Sequence, residues 1–295
     1  MNIEMAYLLG MIVGNGHIRR GVVETSIFID IPHKKLKTDD FHDISLYVKA
    51  SISDIREIIE PLIGTSFRVV QNRKVTTLYF SKANTDYLVR EVMRYIGYSV
   101  SHNTMRIDKD VFLFSDDEKK NFLKGFADVT GYIRRSNYFF DDYMHRVYLE
   151  IPNNWGMVVD ICNLLKSLDI PVHTIDWAHP NMRDGNVKKY NIGNKNFWKK
   201  EHQIKIWANE FLPIGFAVIH KQQALEAYAD ELICGLKKKG INPEKKTHLF
   251  YWESPSKRKV KPFHPGEFDD FLPVEIRGKH FNSWKDIARI LGYDK

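Results

Sequence analysis

Residues 6–21, AYLLGMIVGNGHIRRG, and residues 121–136, NFLKGFADVTGYIRRS, are two copies of one pattern. Each runs apolar-Leu-X-Gly, then five residues, then Gly-X-Ile-Arg-Arg. Gly16 and Gly131 stand 115 residues apart. That interval is too long for a solenoid unit of roughly 20–50 residues and fits duplication of a small α/β unit. Each copy reads as a helix that ends at its last glycine and hands over to a strand. Gly10 and Gly14 share one helix face, because residues four apart are neighbours on a helix surface. Small residues there admit a second helix at close range. The second copy offers Gly125 but has Val129 in the matching place, so its side of the contact is bulkier. Two helices packed this way bring their C-terminal ends together, where partial negative charge favours a cation.

Working outward, the elements after each copy repeat as well. The run VVETSIFIDIP reads as extended, SLYVKAS as a further strand, and ISDIREIIEPLI as a helix. FRVVQ and VTTLYFS form a strand pair around Asn72-Arg73-Lys74, and the helix NTDYLVREVMRYIG closes the unit. In the second half SNYFF and HRVYLEIP precede the helix WGMVVDICNLLKSL. PVHTIDW and QIKIWA follow as a strand pair joined by the basic loop 179–202, and IHKQQALEAYADELICGL closes the half. SIFIDI and RVYLEI alternate with the period of two that a half-buried antiparallel strand needs. The expected fold class is therefore α+β, two αββαββα repeats. The expected domains are 1–114 and 115–235, followed by a basic C-terminal extension 236–295. Ser115 and Glu118 form a capping box that starts the second repeat's first helix. In the extension, WKDIARIL within VEIRGKHFNSWKDIARILGYDK reads as one short amphipathic helix, capped by Ser283 and stopped by Gly292. That helix either docks on the core or serves as an appended DNA-binding element.

The chain has 295 residues, is 43% hydrophobic, and carries 44 Lys and Arg against 37 Asp and Glu, a net charge of +7. No apolar run approaches the roughly 20 residues that span a bilayer. The short apolar N-terminal stretch follows an acid and lacks a small-residue cleavage site, so it does not read as a signal peptide. Cys162 and Cys234 lie in apolar helix patterns and read as buried thiols of a reducing compartment. No Cys/His cluster has zinc spacing. The expectation is an intracellular protein, cytoplasmic or organellar, neither secreted nor membrane-bound. A basic balance with interleaved aromatics points to nucleic acid as partner.

Leu8 to Gly16 and Leu123 to Gly131 resemble the two LAGLIDADG motifs of homing endonucleases and related maturases. The order of elements after each motif matches that family over roughly residues 1–235. The resemblance implies a monomer with internal pseudo-two-fold symmetry, whose saddle of strands straddles double-stranded DNA. It also implies that an acid before each final glycine binds divalent metal, Mg2+ or Mn2+, for phosphodiester cleavage. The corresponding catalytic and metal positions are Asn15 with Gly14, and Thr130 with Val129. Both acids are replaced. Asn keeps the shape and one carbonyl oxygen but not the charge; Thr loses reach as well. Asp128, two residues before Thr130, points to roughly the opposite side of its helix. If cleavage is lost, no metal is needed.

The resemblance places the strands after each motif in the major groove, reading base edges while Lys and Arg hold phosphates. The candidates in the first half are Arg19, Arg20, Glu24, Ser26, Phe28, Asp30, Tyr47, Lys49, Arg68, Arg73 and Thr77. Those in the second half are Arg134, Arg135, Asn137, Arg146, Tyr148, Glu150, His173, Lys188, Lys189, Lys205 and Trp207. Alternation shows which of them share a face, not which face is out. His33 and Asn153 follow the repeated Ile-Pro turns, either as turn caps or to orient water. Three functions stand in order: a site-specific DNA endonuclease with a degenerate metal site; a non-cleaving maturase on intron RNA or a DNA-binding regulator; and a restriction-type endonuclease, for which no nuclease pattern of another kind is found.

Overall fold

The computed structural model describes residues 2–38, 43–97, 99–135, 145–152, 154–176, 202–238, 240, 274–276 and 279–281. Within them the two motifs form the expected helices. Helix α1, Ile3–Asn15, starts where the Asn2 side chain accepts from the backbone N–H groups of Glu4 and Met5 at 2.7 and 3.3 Å. Every residue of α1 from Met5 to Gly14 is buried. The second motif helix, Asp116–Thr130, begins at the capping box: Ser115 N–H donates to Glu118 at 2.8 Å, and Glu118 N–H donates back to Ser115 Oγ at 3.4 Å.

The two helices pack backbone to backbone. A methyl group on Gly10 would collide with the carbonyl oxygen of Phe122, and one on Gly125 with that of Tyr7. A methyl on Gly14 would meet the Val129 side chain at 2.8 Å. Close approach is therefore reciprocal at Gly10 and Gly125, and Val129 fills the space that a fourth small residue would have left open.

The strands after α1 are β1, Gly16–Arg20, and β2, Glu24–Pro32. They join β3, Arg68–Gln71, and β4, Val75–Ala83, in one antiparallel sheet of order β1-β2-β4-β3. Asn72 shapes the β3–β4 turn by accepting from Lys74 and Val75 N–H groups at 2.7 and 2.9 Å. Thr25, Ile27, Ile29 and Ile31 point to the core, so Ser26, Phe28 and Asp30 take the open face.

After the short helix α2, His33–Leu36, comes α3, Ile44–Ile63. SLYVKAS, expected as a strand, is the first half of α3. Asp43 accepts from Ser45 N–H at 2.8 Å as N-cap, and Tyr47, Val48, Ser51, Ile52, Ile55 and Ile59 are buried at helical spacing. The cap and the 3.6-residue period outweigh the local run of β-favouring residues. The repeat's second strand is instead β1, which begins at the motif glycine itself. Gly64, at φ 62°, ends α3 in the left-handed region where an L side chain is strained. Helix α4, Tyr87–Ile96, is capped by Asp86, and a 3-10 turn at Lys109–Leu113 precedes the second motif helix, α5 in chain order.

The second repeat keeps the order: β5, Gly131–Arg134; β6, Arg146–Ile151; α6, Trp155–Lys166; β7, Thr174–Asp176; β8, His202–Trp207; the single turn α7, Ala208–Phe211; and α8, Ile219–Lys238. In the extension, VEI and KHF form β9, Val274–Ile276, and β10, Lys279–Phe281. The strand β9 pairs parallel with β7, giving the run β10-β9-β7-β8-β6. The terminal helix expected after Ser283, the SNYFF strand and the basic loop lie outside the described residues.

The chain divides into two compact units, Met1–Arg134 with Leu212–Glu226, and Arg135–Phe211 with Ala227–Lys295. Both motif helices belong to the first. Among the described residues no helix is long and apolar enough to cross a membrane. Cys162 is buried as expected, whereas Cys234 is exposed on α8.

In the second unit, His202 on β8 is fully buried, and burial pulls its imidazole pKa down to about 3. The unfolded chain then binds more protons than the folded one between about pH 3 and the ordinary value of 6.5. This group's contribution to stability is therefore present above pH 6.5 and lost as pH falls toward 3. The full span corresponds to roughly 4–5 kcal/mol. Denaturant titrations of wild type and His202→Gln at pH 7, 5.5 and 4.5 should show a shallower acid slope in the variant. Parallel slopes would refute the assignment.

Candidate nucleic-acid interface

The ends of the motif helices come first, because the resemblance locates metal chemistry there. At the end of α1 the Asn15 amide donates through Nδ2 to the Asp30 carbonyl oxygen at 2.8 Å. This ties the side chain to β2 and leaves one neutral carbonyl oxygen. At the end of α5 the Thr130 hydroxyl donates to Phe126 O at 2.7 Å, one turn back along its own helix, and the residue is buried. Val129 packs toward Gly14. Among the described residues no group of three or more His, Cys, Asp or Glu is placed to hold a metal ion. A divalent cation needs several oxygen ligands, with carboxylates to balance its charge. Asn15, Gly14, Thr130 and Val129 do not fit that requirement.

The carbonyl groups at these ends have partners from the protein. The Gly16 carbonyl accepts from His102 N–H at 2.9 Å, with His102 Nδ1 3.1 Å away. Burial lowers the His102 pKa, with the Gly16 contact opposing it. The α5 end is served by Lys221, a fully buried residue of α8. Its ammonium donates to Ala127 O, Asp128 O and Gly131 O at 3.1, 3.2 and 2.9 Å and lies 3.7 Å from the Asp128 carboxylate. Three N–H donors thus meet three carbonyl acceptors at a helix C-terminus, where a cation is favoured. Asp128 is itself fully buried. It accepts from Tyr7 Oη at 2.8 Å and Ala217 N–H at 2.9 Å. Burial pushes its carboxyl pKa up, opposed by the Lys221 charge and these hydrogen bonds. Burial pulls Lys221 down to about 8, with Asp128 opposing.

The open face of the first sheet gathers several candidates. His17 and Arg19 of β1, Ser26, Phe28 and Asp30 of β2, and Thr77, Tyr79 and Ser81 of β4 share it by register. Asp30 accepts from Thr77 Oγ1 at 2.6 Å and lies 3.9 Å from His17 Nδ1; Ser26 and Ser81 hydroxyls are 2.7 Å apart. Arg19, Arg68, Arg73 and Glu24 are exposed. Arg20 lies on the other side, where its guanidinium donates to Gly97 O at 3.1 Å and caps α4. Lys49 is exposed, but on α3 rather than on a strand, and Tyr47 is buried there. His33 is the first residue of α2, and its Nε2 lies 2.9 Å from Thr76 Oγ1 on β4. Sequence reasoning missed His17, Tyr79, Ser81, His102, Tyr7 and Lys221. The alternation in VTTLYFS carries Tyr79 and Ser81, and that in GHIRR carries His17; the other three have partners far away in sequence.

The second-half candidates divide. Arg134 is exposed, its guanidinium 5.0 Å from the Tyr132 ring centroid. Arg135 pairs with Glu231 at 3.1 Å. Arg146, Glu150 and Lys205 were expected to face outward and are buried instead. Arg146 stacks 4.4 Å from the Trp207 ring, Gln203 donates to Glu150 at 3.2 Å, and Lys205 lies 6.0 Å from the Tyr148 ring. Register places these residues with Tyr148, Gln203 and Trp207 on one sheet face, and that face is largely buried. His173, 4.4 Å from Trp207, is buried with them. Asn137, Asn153, Lys188 and Lys189 lie outside the described residues.

No family model matches the chain, and no curated protein does. Solved structures do. I-DmoI bound to its target DNA in the presence of manganese is 15% identical, with a TM-score of 0.41, over 74% of this chain and 92% of that one. I-AabMI bound to uncleaved DNA is 12% identical, TM-score 0.38, over 84% and 96%. I-LtrWI bound to target DNA is 11% identical, TM-score 0.36, over 84% and 93%. The solved structures to which this mixed helix and antiparallel-sheet fold is similar thus include LAGLIDADG homing endonucleases.

Proposed function

We propose that the chain binds double-stranded DNA sequence-specifically, in the manner of a homing endonuclease, without a working two-metal cleavage centre. The observation that carries the reading is the open face of the first sheet. Hydrogen-bonding side chains in strand register, flanked by exposed Arg19, Arg68 and Arg73, present base-reading and phosphate-holding groups on one surface. The two-motif resemblance supplies the same orientation for that face. The closed positions Asn15 and Thr130 support binding without cleavage.

The test is selection of a target from a randomised duplex pool with the full chain, followed by affinity measured against salt. An enriched duplex bound with a steep salt slope is expected, since phosphate contacts release counterions. Incubation of that duplex with Mg2+ or Mn2+ should leave it intact. Efficient cleavage would overturn the non-cleaving part, and preference for structured RNA would move the reading to a maturase.

The acid positions give a second expected result. Replacing Asn15→Asp and Thr130→Asp together brings two carboxylates to the helix ends. An opposite charge pair at 4 Å is worth about 4 kcal/mol gross at an effective dielectric of about 20, more for a divalent ion. The double variant should melt below wild type in chelator, and Mn2+ should raise its melting temperature while leaving wild type unchanged. Equal responses of the two proteins would show that these positions do not form a metal clamp.

A further inference from the structure

We infer that the open face of the first sheet reads the methyl group of thymine in the major groove, an inference that rests on the double-stranded DNA reading above. At one register across the sheet stand His17, Phe28, Tyr79 and Arg68, each paired with the next. The His17 and Phe28 rings lie 4.5 Å apart and parallel to within 2°, and Phe28 and Tyr79 lie 5.2 Å apart at 17°. Side chains stand roughly perpendicular to a sheet. Rings stacked on one another across neighbouring strands therefore spend their faces on each other and turn their edges outward. All three are partly exposed, so the apolar edge of Phe28 stands at the centre of the row, between the His17 and Tyr79 rings, whose edges carry nitrogen and a hydroxyl.

The polar groups beside the row are already engaged with one another. Ser26 meets Ser81 at 2.7 Å on one side, and Thr77 donates to Asp30 at 2.6 Å on the other. Positive charge flanks the row: Arg68 at its end, and the Arg19 guanidinium 5.6 Å from the Phe28 centroid. A surface that is cationic at its margin and apolar at its centre complements a duplex at a base pair carrying an apolar group. In the major groove that group is the C5-methyl of thymine. Unpaired bases are held differently, on free aromatic faces, and Phe28 has a ring against each of its faces.

The test uses the full chain and its selected duplex, with each thymine in the footprint replaced singly by deoxyuridine, which removes only the methyl. One or two positions should lose about fourfold in affinity, the value of one buried methyl group. Phe28→Asn should erase that difference at those positions with the salt slope unchanged, and Phe28→Leu should retain it. Melting temperatures close to wild type would show both variants folded. A duplex bound specifically, with no position sensitive to deoxyuridine, overturns this inference and leaves the DNA reading standing. Failure to enrich any duplex overturns the DNA reading itself and this inference with it. Tighter binding to single-stranded nucleic acid than to the duplex reassigns the row to base stacking and overturns the inference.

Discussion

Replacing Gly10 with alanine should lower the melting temperature by roughly 10 °C. The added methyl points into the backbone carbonyl of Phe122, and Phe126 N lies 2.9 Å away, so no side-chain rotation can relieve the contact. The helices must separate along their buried length, and overpacking of this kind costs about 3 kcal/mol. For chains larger than about 150 residues each kcal/mol moves the melting temperature by about 2–4 °C. Gly125→Ala should behave alike, because its methyl meets the Tyr7 carbonyl across the same contact. Gly14→Ala is the internal comparison. Its methyl meets side-chain rather than backbone atoms, Val129 at 2.8 Å, Thr130 at 3.1 Å and Phe126 at 3.2 Å, so a smaller loss of about 1–2 kcal/mol is expected. Thermal unfolding of the three variants reads the order directly. A Gly10→Ala protein as stable as wild type would show that the helices do not touch backbone to backbone.

The second large effect concerns the buried pair of Asp128 and Lys221. Asp128→Ala removes the carboxylate from an ammonium with no solvent exposure and takes acceptors from Tyr7 Oη and Ala217 N–H. Breaking one partner of a buried ion pair costs about 3–5 kcal/mol, because a charge is left buried without its counter-ion. Lys221→Met should be costly too, since it strips the donor from three carbonyls at the end of α5. The double variant Asp128→Ala with Lys221→Met should be less destabilised than the two losses added, by about 1–3 kcal/mol. Denaturant unfolding of the four proteins closes the cycle. Strict additivity would mean that the two groups do not sense each other, and would remove Lys221 as the counter-charge of Asp128.

The Lys221 network bears on the functional reading. A helix C-terminus that would favour an external cation already has an internal one, and the Thr130 hydroxyl is turned back on its own helix. On the α1 side, Asn15 is held to β2 and His102 serves the Gly16 carbonyl. Asn15 and Thr130 thus stand in surroundings whose polar groups are satisfied from within the protein.

Much of this was legible in the chain before folding. The repeated motif, the Gly10–Gly125 approach, the Ser115–Glu118 capping box, the Asn72 turn and the alternation of β2 are all local signals. Each depends on residues within about four positions of one another or on a repeat visible by eye. The strand reading of SLYVKAS failed locally too: Asp43 was not recognised as a cap, and the helical period that begins at Tyr47 continues unbroken into ISDIREII. The misplaced members of the candidate site have another cause. Arg20 is turned to cap α4, and Arg146, Glu150 and Lys205 are buried, although all four sit in well-read strands.

By itself the sequence determined most of the order of elements, the pairing of the two motif helices, which residues share a strand face, and the neutral side chains Asn15 and Thr130 before the motif glycines. These follow from helical and strand periodicity, glycine size and side-chain charge, which are properties of short stretches of chain. Only the tertiary structure decided which faces stay open, that Lys221 and His102 reach the helix ends, and that His17, Phe28 and Tyr79 stand in one stack. Those outcomes join residues roughly 10 to 90 positions apart through side-chain burial and directed hydrogen bonds. A period in the sequence states which side a residue takes, and only the packed fold states what it meets there.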